Sequence, residues 1–331
     1  MKVSQVQKHK YLGMDLDFST HGQCKMTMFN YIDEILAAWK AATQITNSDS
    51  FKTVGTKRKN ISIEAPENLF VVDEDCKKLD SVKSKEFNNI VAKALYVMKR
   101  ARPDISVVVA LLTRRVQGPN QHNREKLSHL MQYLHGTRDL PLILGADGTG
   151  IVKWFFDASF AVHPNMRSHS GGEVTLGRGF PIVTSTKQKL NTSSSTESEL
   201  VGVDDLMPSI LWTCNFLKAQ GYEVTENILY QGNKSSILLE KNRKASSSKR
   251  TRHISIRYFF VTNRIAKGEL TVEWCPTANK ITDFMTKPLQ GALFQKFRDI
   301  VMGVDVIKSD IDTRKRSQVT MLANQNSYLP K

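Results

Sequence analysis

The chain has 331 residues, 40% of them hydrophobic and 24% charged, which is typical of a folded protein long enough for two domains. Its net charge of +15 indicates an anionic partner, most commonly nucleic acid. Charge alone does not distinguish nucleic acid from an acidic membrane surface as the partner, but the sequence has no basic amphipathic helix that would favour a membrane. The start of the sequence lacks the apolar core of a signal peptide, and the longest apolar run, residues 105–112, is too short to span a bilayer. We therefore expect an intracellular protein, cytoplasmic or nuclear, without a membrane partner.

The first part of the chain has the pattern of a hairpin followed by helices. The runs KYLGMDLDF at 10–18 and CKMTMF at 24–29 flank a polar turn, which predicts two paired strands. Apolar residues recur on one face over 31–42, and three further helical patterns occupy 84–136. Residues 43–80 are polar and irregular, which is typical of a linker or an exposed loop.

The pattern changes near residue 139. From there the predicted order is three strands, a helix, a strand, two helices, a strand and a last helix, and the remaining residues are polar and mixed in charge. We therefore divide the chain into two domains, 1–138 and 139–304, and a flexible tail, 305–331.

Three carboxylates in the second domain stand out. Asp157 lies within an apolar strand pattern, Glu199 on the inward side of a helix near its first turn, and Asp283 in a helix predicted to begin near Asn279. Each also has a plain structural interpretation: a turn cap at a strand end, a solvated helix residue, and an acid favoured by the helix dipole. Their order along the predicted elements is that of a ribonuclease H-type fold, an α/β fold in which carboxylates converge on two Mg²⁺ ions.

A neighbouring acidic pair favours a different enzyme class at first sight. GVDDLM, with Asp204 and Asp205, resembles the Asp-Asp signature of a polymerase palm. That signature requires a tight hairpin between apolar strands, whereas this pair lies inside a helical pattern. The sequence therefore disfavours a polymerase site here.

Eight segments, in order and spread over residues 5–302, resemble the C-terminal part of a copia-type retrotransposon polyprotein. They are KYLGMDLDF, FNNIVAKALYVMKRARPDIS, LMQYLHGTRDLPL, FFDASFAVH, STKQKLNTSSSTESELVGV, YQGNKSSILLEKN, KRTRHISIRYFFV and ANKITDFMTKPLQG. The resemblance implies that 1–138 is a reverse-transcriptase remnant, with a primer-grip-like hairpin and thumb or connection helices. It implies that 139–304 is a ribonuclease H-like mixed sheet with flanking helices. The polymerase's catalytic strand would precede residue 1, so no DNA polymerase activity is expected.

The same resemblance implies the site. It makes Asp157, Glu199 and Asp283 catalytic acids and metal ligands for two Mg²⁺ ions that support endonucleolytic cleavage of RNA in RNA–DNA hybrids. The family's third acid belongs to an Asp-Asn pair that reads Gly232-Asn233 here. Loss of a direct metal ligand should lower metal affinity or cleavage rate by well over tenfold. Even the loss of a residue that only orients a metal ligand lowers them by about 10–100-fold. The chain is then either an impaired ribonuclease, with one ion open to loss, or a catalytically dead nucleic-acid-binding relic.

A basic segment is the second functional feature. Residues 241–257 carry seven Lys or Arg and no acid, and we predict a loop running into a helix. It is either a phosphate-tracking surface or a solvated loop. The nucleic-acid-binding candidates are Lys187, Lys249, Arg250, Arg252 and His253, although His253 suits a plain helix start equally well. The expected partners are an RNA–DNA hybrid or other nucleic acid and the remainder of the Pol polyprotein.

Overall fold

The structure is a computed structural model, and it describes residues 6–43, 66–242, 252–275 and 281–306, with only the backbone for 242 and 252–258. In chain order the elements are β1 (Lys8–Tyr11), β2 (Met14–Asp17), β3 (Gln23–Thr27), α1 (Phe29–Thr43), α2 (Ser81–Met98), a 3₁₀ helix (Pro103–Ile105), α3 (Ser106–Leu112), α4 (Gln121–Gly136), β4 (Leu142–Ala146), β5 (Ile151–Ser159), β6 (His169–Thr175), β7 (Gly177–Arg178), β8 (Ile182–Lys187), α5 (Ser195–Ala219), β9 (Glu226–Gln231), α6 (Lys234–Asn242), α7 (Arg252–Ala266), β10 (Thr271–Trp274), a second 3₁₀ helix (Ile281–Met285) and α8 (Gly291–Val301). Within these ranges, no helix is long and apolar enough to cross a membrane.

The N-terminal hairpin differs from its prediction. The run at 10–18 is two strands rather than one, because the chain reverses at Leu12 and Gly13, which have φ angles of 51° and 78°. Positive φ at both central residues is the geometry of a two-residue hairpin turn that matches the twist of the strands. Tyr11 pairs with Met14 across this turn. β3 then pairs with β2, so the predicted hairpin is an antiparallel meander.

The helices of the first part follow their apolar periodicity. α1 buries Ile32, Ile35, Leu36 and Trp39, as predicted. Asp80 is the N-cap of α2. Its side chain accepts a hydrogen bond from the amide of Lys83, which satisfies one amide of the first turn. The core of this part therefore arises from amphipathic helices packed beside the meander.

The second sheet has the order β10-β9-β5-β6-β8. β5, β9 and β10 pair in parallel, whereas β5, β6 and β8 pair antiparallel. Three antiparallel strands followed by two parallel ones beside the first strand form the ribonuclease H-like mixed sheet, so the predicted fold class is confirmed. Helix α5 packs on β5 and β6, and α6 and α7 pack beside it. The second 3₁₀ helix packs on the same two strands, and it carries Asp283.

Side chains of β5 alternate between two hydrophobic cores, as a strand buried on both faces requires. Trp154 and Phe156 join the core under α5, whereas Phe155 joins a core shared with α1–α4 and α8. β4 pairs with β3 and with β7, so strands from beyond residue 139 complete the N-terminal sheet. The division at residue 139 stays a prediction, and the structure adds that a continuous core and a sheet cross it.

The last segments also differ from their prediction. Asp283 was expected in a helix beginning near Asn279, but the described helix around it is a short 3₁₀ turn, and α8 follows separately. Pro288 lies between them, and proline disfavours the helical conformation in the residue before it. Residues 276–280 and the predicted tail beyond 306 lie outside the described residues.

Candidate active site

Asp157 lies well inside β5, two residues before the strand ends at Ser159. Its side chain is 6% exposed, and the Thr286 hydroxyl donates a 2.6 Å hydrogen bond to its Oδ2. A turn cap would lie at the strand end and bind backbone amides, so that interpretation is wrong. The buried carboxylate instead faces the segment that follows the second 3₁₀ helix.

A glycine allows that segment to approach. Gly171 pairs with Asp157 across β5 and β6. A Cβ at Gly171 would lie 2.6 Å from Met285 Cβ and 2.7 Å from Thr286 Cγ2, closer than carbon atoms pack. Only glycine leaves room for the 3₁₀ segment against the sheet, and this contact brings Thr286 to Asp157.

Lys287 lies between two of the predicted acids. Its Nζ is 2.7 Å from Asp283 Oδ1 and 3.7 Å from Asp157 Oδ2. Burial lowers the pKa of Lys287, but the two carboxylates outweigh burial and raise the pKa, so the ammonium keeps its charge. Asp157 and Asp283 therefore both approach the Lys287 ammonium, whereas the resemblance implied that both acids would bind Mg²⁺.

Glu199 faces inward. Ser194 is the N-cap of helix α5, and its hydroxyl accepts a hydrogen bond from the amide of Glu197. The Glu197 carboxylate in turn accepts from the amide of Ser193. Glu197 therefore caps the start of the helix, one amide earlier than in a regular capping box. Glu199 is 4% exposed, so the solvated interpretation is wrong. A Cβ at Gly202 of the same helix would collide with the Phe156 ring. The glycine therefore allows α5 to lie close to β5.

Gly232 lies level with Asp157. Gln231, the last residue of β9, pairs with Phe156 of β5, so Gly232 is the first residue beyond β9 and Asp157 is the next residue of β5. Continuing the alternation of β9 by one residue would put a side chain at 232 on the face of Tyr230, whose ring stacks on Phe155. This is the face of Asp157, so the position is suited to a third acid, and glycine supplies none.

Neither nearby polar residue takes its place. The Asn233 side-chain oxygen accepts from the amides of Ser235 and Ser236 and caps α6. Glu240 is fully buried, and the Gln231 amide donates to both of its carboxylate oxygens. Burial raises the pKa of Glu240 to about 7, and it lies on the opposite face of the sheet from Asp157.

The two-Mg²⁺ site that the resemblance implies needs more oxygen ligands than these residues offer. Over the described ranges, no three His, Cys, Asp or Glu side chains are grouped so that they could hold a metal ion. Asp157 and Asp283 share the ammonium of Lys287. Magnesium takes several hard oxygen ligands in near-octahedral geometry, and a lysine-bridged pair of acids does not supply that set. The described residues do not fit the two-ion centre.

A chain of hydrogen bonds that sequence reasoning missed anchors the second 3₁₀ helix. The Ser185 hydroxyl donates to the carbonyl of Met285 (2.9 Å) and lies 2.8 Å from His169 Nε2, and His169 Nδ1 lies 3.1 Å from His163 Nε2. Because Ser185 gives its proton to the carbonyl, His169 donates through Nε2 and accepts from His163 through Nδ1. Two neutral histidines thus support the segment that carries Asp283. No spacing motif in the sequence relates these three residues.

Acid should weaken this anchor. Burial is the main reason that the pKa of His163 is lowered to about 4 and that of His169 to about 3, and nearby cations lower both further. Both histidines titrate near 6.5 when unfolded, so the unfolded state binds more protons as the pH falls below about 6.5. We expect the free energy of unfolding, measured with urea, to fall by about 1.5 kcal/mol per histidine between pH 6.5 and 5.

Two variants provide the comparison for that measurement. His163→Gln removes one titrating group and keeps an amide donor, so its stability should depend less on pH than that of the native chain. His21→Gln changes an exposed histidine and should follow the native curve. Equal stability of the native chain at pH 7 and pH 5 would contradict a buried neutral pair.

The basic candidates are only partly described. Lys187 ends β8 and is half-buried; burial lowers its pKa, and Arg114 and Arg167 lower it further. Lys249 and Arg250 lie outside the described residues. Arg252 and His253 begin α7, but their side chains are not described. The role predicted for the 241–257 segment therefore stays a prediction.

Comparison with known proteins points to transposons. The chain is 30% identical over 214 residues to a retrovirus-related Pol polyprotein from transposon RE1 of Arabidopsis thaliana, covering 64% of this chain and 14% of that protein. A Pol polyprotein from transposon TNT 1-94 of Nicotiana tabacum is 27% identical, with 65% and 16% covered. A transposon Ty5-1 protein of Saccharomyces cerevisiae is 26% identical, with 61% of each chain covered. The chain thus spans about one seventh of the plant relatives, and no protein-family model matches it.

Two solved structures are similar to the chain at low sequence identity. Ribonuclease H1 from Halobacterium salinarum NRC-1 is 10% identical, with a TM-score of 0.27 and coverage of 39% of this chain and 89% of that one. A foamy viral protease–reverse transcriptase in complex with dsDNA is 12% identical, with a TM-score of 0.41 and coverage of 82% and 45%. Because both TM-scores are below 0.5, the fold assignment rests on the strand order of the second sheet.

Proposed function

Because this chain is similar over 64% of its length to a retrotransposon Pol polyprotein, we propose that it is a Pol segment whose ribonuclease H-like domain binds RNA–DNA hybrids and cleaves them only weakly. One observation carries the second half of this proposal: the position level with Asp157 is Gly232, which has no side chain. The remainder of a Pol polyprotein is its expected protein partner, and a cytoplasmic or nuclear location would suit both partners.

Charge supports the binding half. A net charge of +15 on 331 residues is strongly attractive to a phosphate backbone, and such attraction is largely independent of sequence. An RNA–DNA hybrid is recognised chiefly by its shape, its 2′-hydroxyls and its phosphates. A hybrid is therefore favoured over a specific DNA sequence as the ligand.

The described site supports weak chemistry. Hybrid cleavage in this fold class would depend on Mg²⁺, which would activate water and stabilise the leaving oxygen. The residues present hold a cation through Asp157 and Asp283, but that cation is Lys287. Thr286 orients the Asp157 carboxylate by its hydrogen bond. With no carboxylate at 232, the site lacks one of the acids that the resemblance implies for cleavage.

Hybrid binding and cleavage by the native chain test this proposal together. Fluorescence anisotropy with a labelled RNA–DNA hybrid should show binding that weakens steeply with salt and that exceeds binding to a DNA duplex of equal length. Cleavage of the labelled RNA strand with Mg²⁺ or Mn²⁺ should stay close to the rate without protein. Binding no tighter than to the DNA duplex would overturn the hybrid assignment.

A second candidate is a functional metal-dependent hybrid ribonuclease. The approach of Asp157 and Asp283 to one ammonium, that of Lys287, favours it, since two of the implied acids share a cation. Robust cleavage by the native chain that stops on addition of a chelator would establish this candidate and contradict the weak-cleavage proposal.

A further inference from the structure

Three cations from distant parts of the chain lie near one another at the active-site end of the second sheet. The charges of Arg114 and Arg167 both act on Lys187. The amide after Lys187 donates to the carbonyl after Arg167, from Gln188 to Ser168. Arg114 follows α3, Arg167 precedes β6 and Lys187 ends β8. Helix α3 packs on β8, which brings the first of these segments to the sheet. We call Arg114, Arg167 and Lys187 the cationic cluster. Of its members, only Lys187 stood out in the sequence.

Strand register places the cluster relative to Asp157. Lys187 pairs with His169, which pairs with Ser159 of β5, two residues beyond Asp157. Paired residues share a face, so Lys187 and Asp157 lie on the same face of the sheet. Two strand spacings of about 4.8 Å and two residues of about 3.4 Å put their Cα atoms roughly 12 Å apart.

The positive charges of the cluster are concentrated. Burial lowers the pKa of Arg114, and the charges of Arg167 and Arg115 lower it further. In the described part of the chain, no carboxylate forms an ion pair with Arg114 or Lys187. By contrast, the adjacent Arg115 is paired with Glu74 at 3.2 Å. Bringing like charges together without a counter-ion is unfavourable, and an anion bound among them would remove that cost.

We propose that the cationic cluster binds a backbone phosphate of the nucleic acid held at the candidate active site, an inference that rests on the proposed function. A separation of roughly 12 Å corresponds to about three to four nucleotides at ~3.4 Å per nucleotide along the axis. The cluster therefore contacts the strand a few nucleotides from the phosphate nearest Asp157. The guanidinium groups of Arg114 and Arg167 suit paired hydrogen bonds to phosphate oxygens.

The cluster crosses the division at residue 139. Arg114 comes from the helical first part and the other two members from the second sheet. The helices of the first part thereby complete a binding surface of the ribonuclease H-like domain. This gives them a role in binding that needs no polymerase chemistry.

An Arg114→Gln/Lys187→Gln variant tests the proposal. Hybrid affinity, measured by anisotropy over a range of salt concentrations, should fall roughly tenfold or more, because the variant loses charge-assisted hydrogen bonds to phosphate. The slope of log affinity against log salt should become shallower by about 0.9 for each phosphate that the variant no longer neutralises. Lys85→Gln, at an exposed lysine on α2, is the matched control and should leave both quantities unchanged.

Two further measurements keep the test clear. The melting temperature of the double variant should be no lower than that of the native chain, since mutual repulsion is removed. With the native protein, a hybrid carrying single neutral methylphosphonates should bind less well when one particular phosphate is replaced, and the double variant should lose that sensitivity.

The outcomes separate the two proposals. Failure of the native chain to bind hybrid would overturn the proposed function. Native binding together with a double variant that matches Lys85→Gln in affinity and salt slope would overturn the cationic cluster alone. A methylphosphonate effect that persists in the double variant would also overturn the cluster.

Discussion

Gly232→Asp should raise the rate of RNA–DNA hybrid cleavage by well over tenfold. The new carboxylate would follow the Phe156–Gln231 pair, beside Asp157, whose carboxylate shares the Lys287 ammonium with Asp283. Gly232 is not among the described glycines with positive φ, the range that disfavours residues with a Cβ. A third acid on this face would outweigh the single positive charge of Lys287. Single-turnover cleavage of a labelled RNA strand with Mg²⁺ measures the change.

Gly232→Asn is the matched control for that variant. Asparagine has nearly the shape of aspartate but no charge, so it should leave cleavage near the native rate. Hybrid affinity without a divalent ion should not increase in Gly232→Asp, because the added charge repels phosphate. Equal cleavage by the native chain and by both variants would show that position 232 has no part in the chemistry.

Asp104→Ala should lower the free energy of unfolding by about 3–5 kcal/mol. Asp104 is fully buried and accepts hydrogen bonds from Arg102 Nε (2.8 Å), from Arg102 Nη2 (2.7 Å) and from the Tyr133 hydroxyl (2.6 Å). Burial would lower the pKa of Arg102, but Asp104 outweighs it, so the guanidinium stays charged. Without Asp104, a buried charge loses its counter-ion. Urea unfolding followed by circular dichroism measures the loss.

Two comparisons identify the cause of that loss. Asp139→Ala removes the partner of Arg138 in a surface pair, with Asp139 78% exposed, and should cost less than about 1 kcal/mol. Arg102→Met/Asp104→Leu removes both buried charges and should recover much of the stability lost by Asp104→Ala alone. A cost for Asp104→Ala as small as that of Asp139→Ala would show that Arg102 finds another partner.

Much of the second sheet and part of the site could be predicted from local patterns. The strand around Asp157 and the inward side of α5 at Glu199 each depend on residues within a few positions, and the structure agrees with both. Predictions from local patterns were wrong at two places where backbone geometry determined the secondary structure. Leu12-Gly13 reversed a run that looked like one strand, and the residues around Asp283 formed a 3₁₀ turn instead of a longer helix.

The sequence by itself determined the kinds of element, their order and the resemblance to a retrotransposon Pol segment, because periodicity, capping residues and motifs are local. Only the tertiary structure decided which residues meet. It placed Gly232 level with Asp157, brought Lys287 between two acids and gathered Arg114 and Lys187 on one surface. Those contacts join residues far apart in the chain, and strand register and close packing at Gly171 determine them.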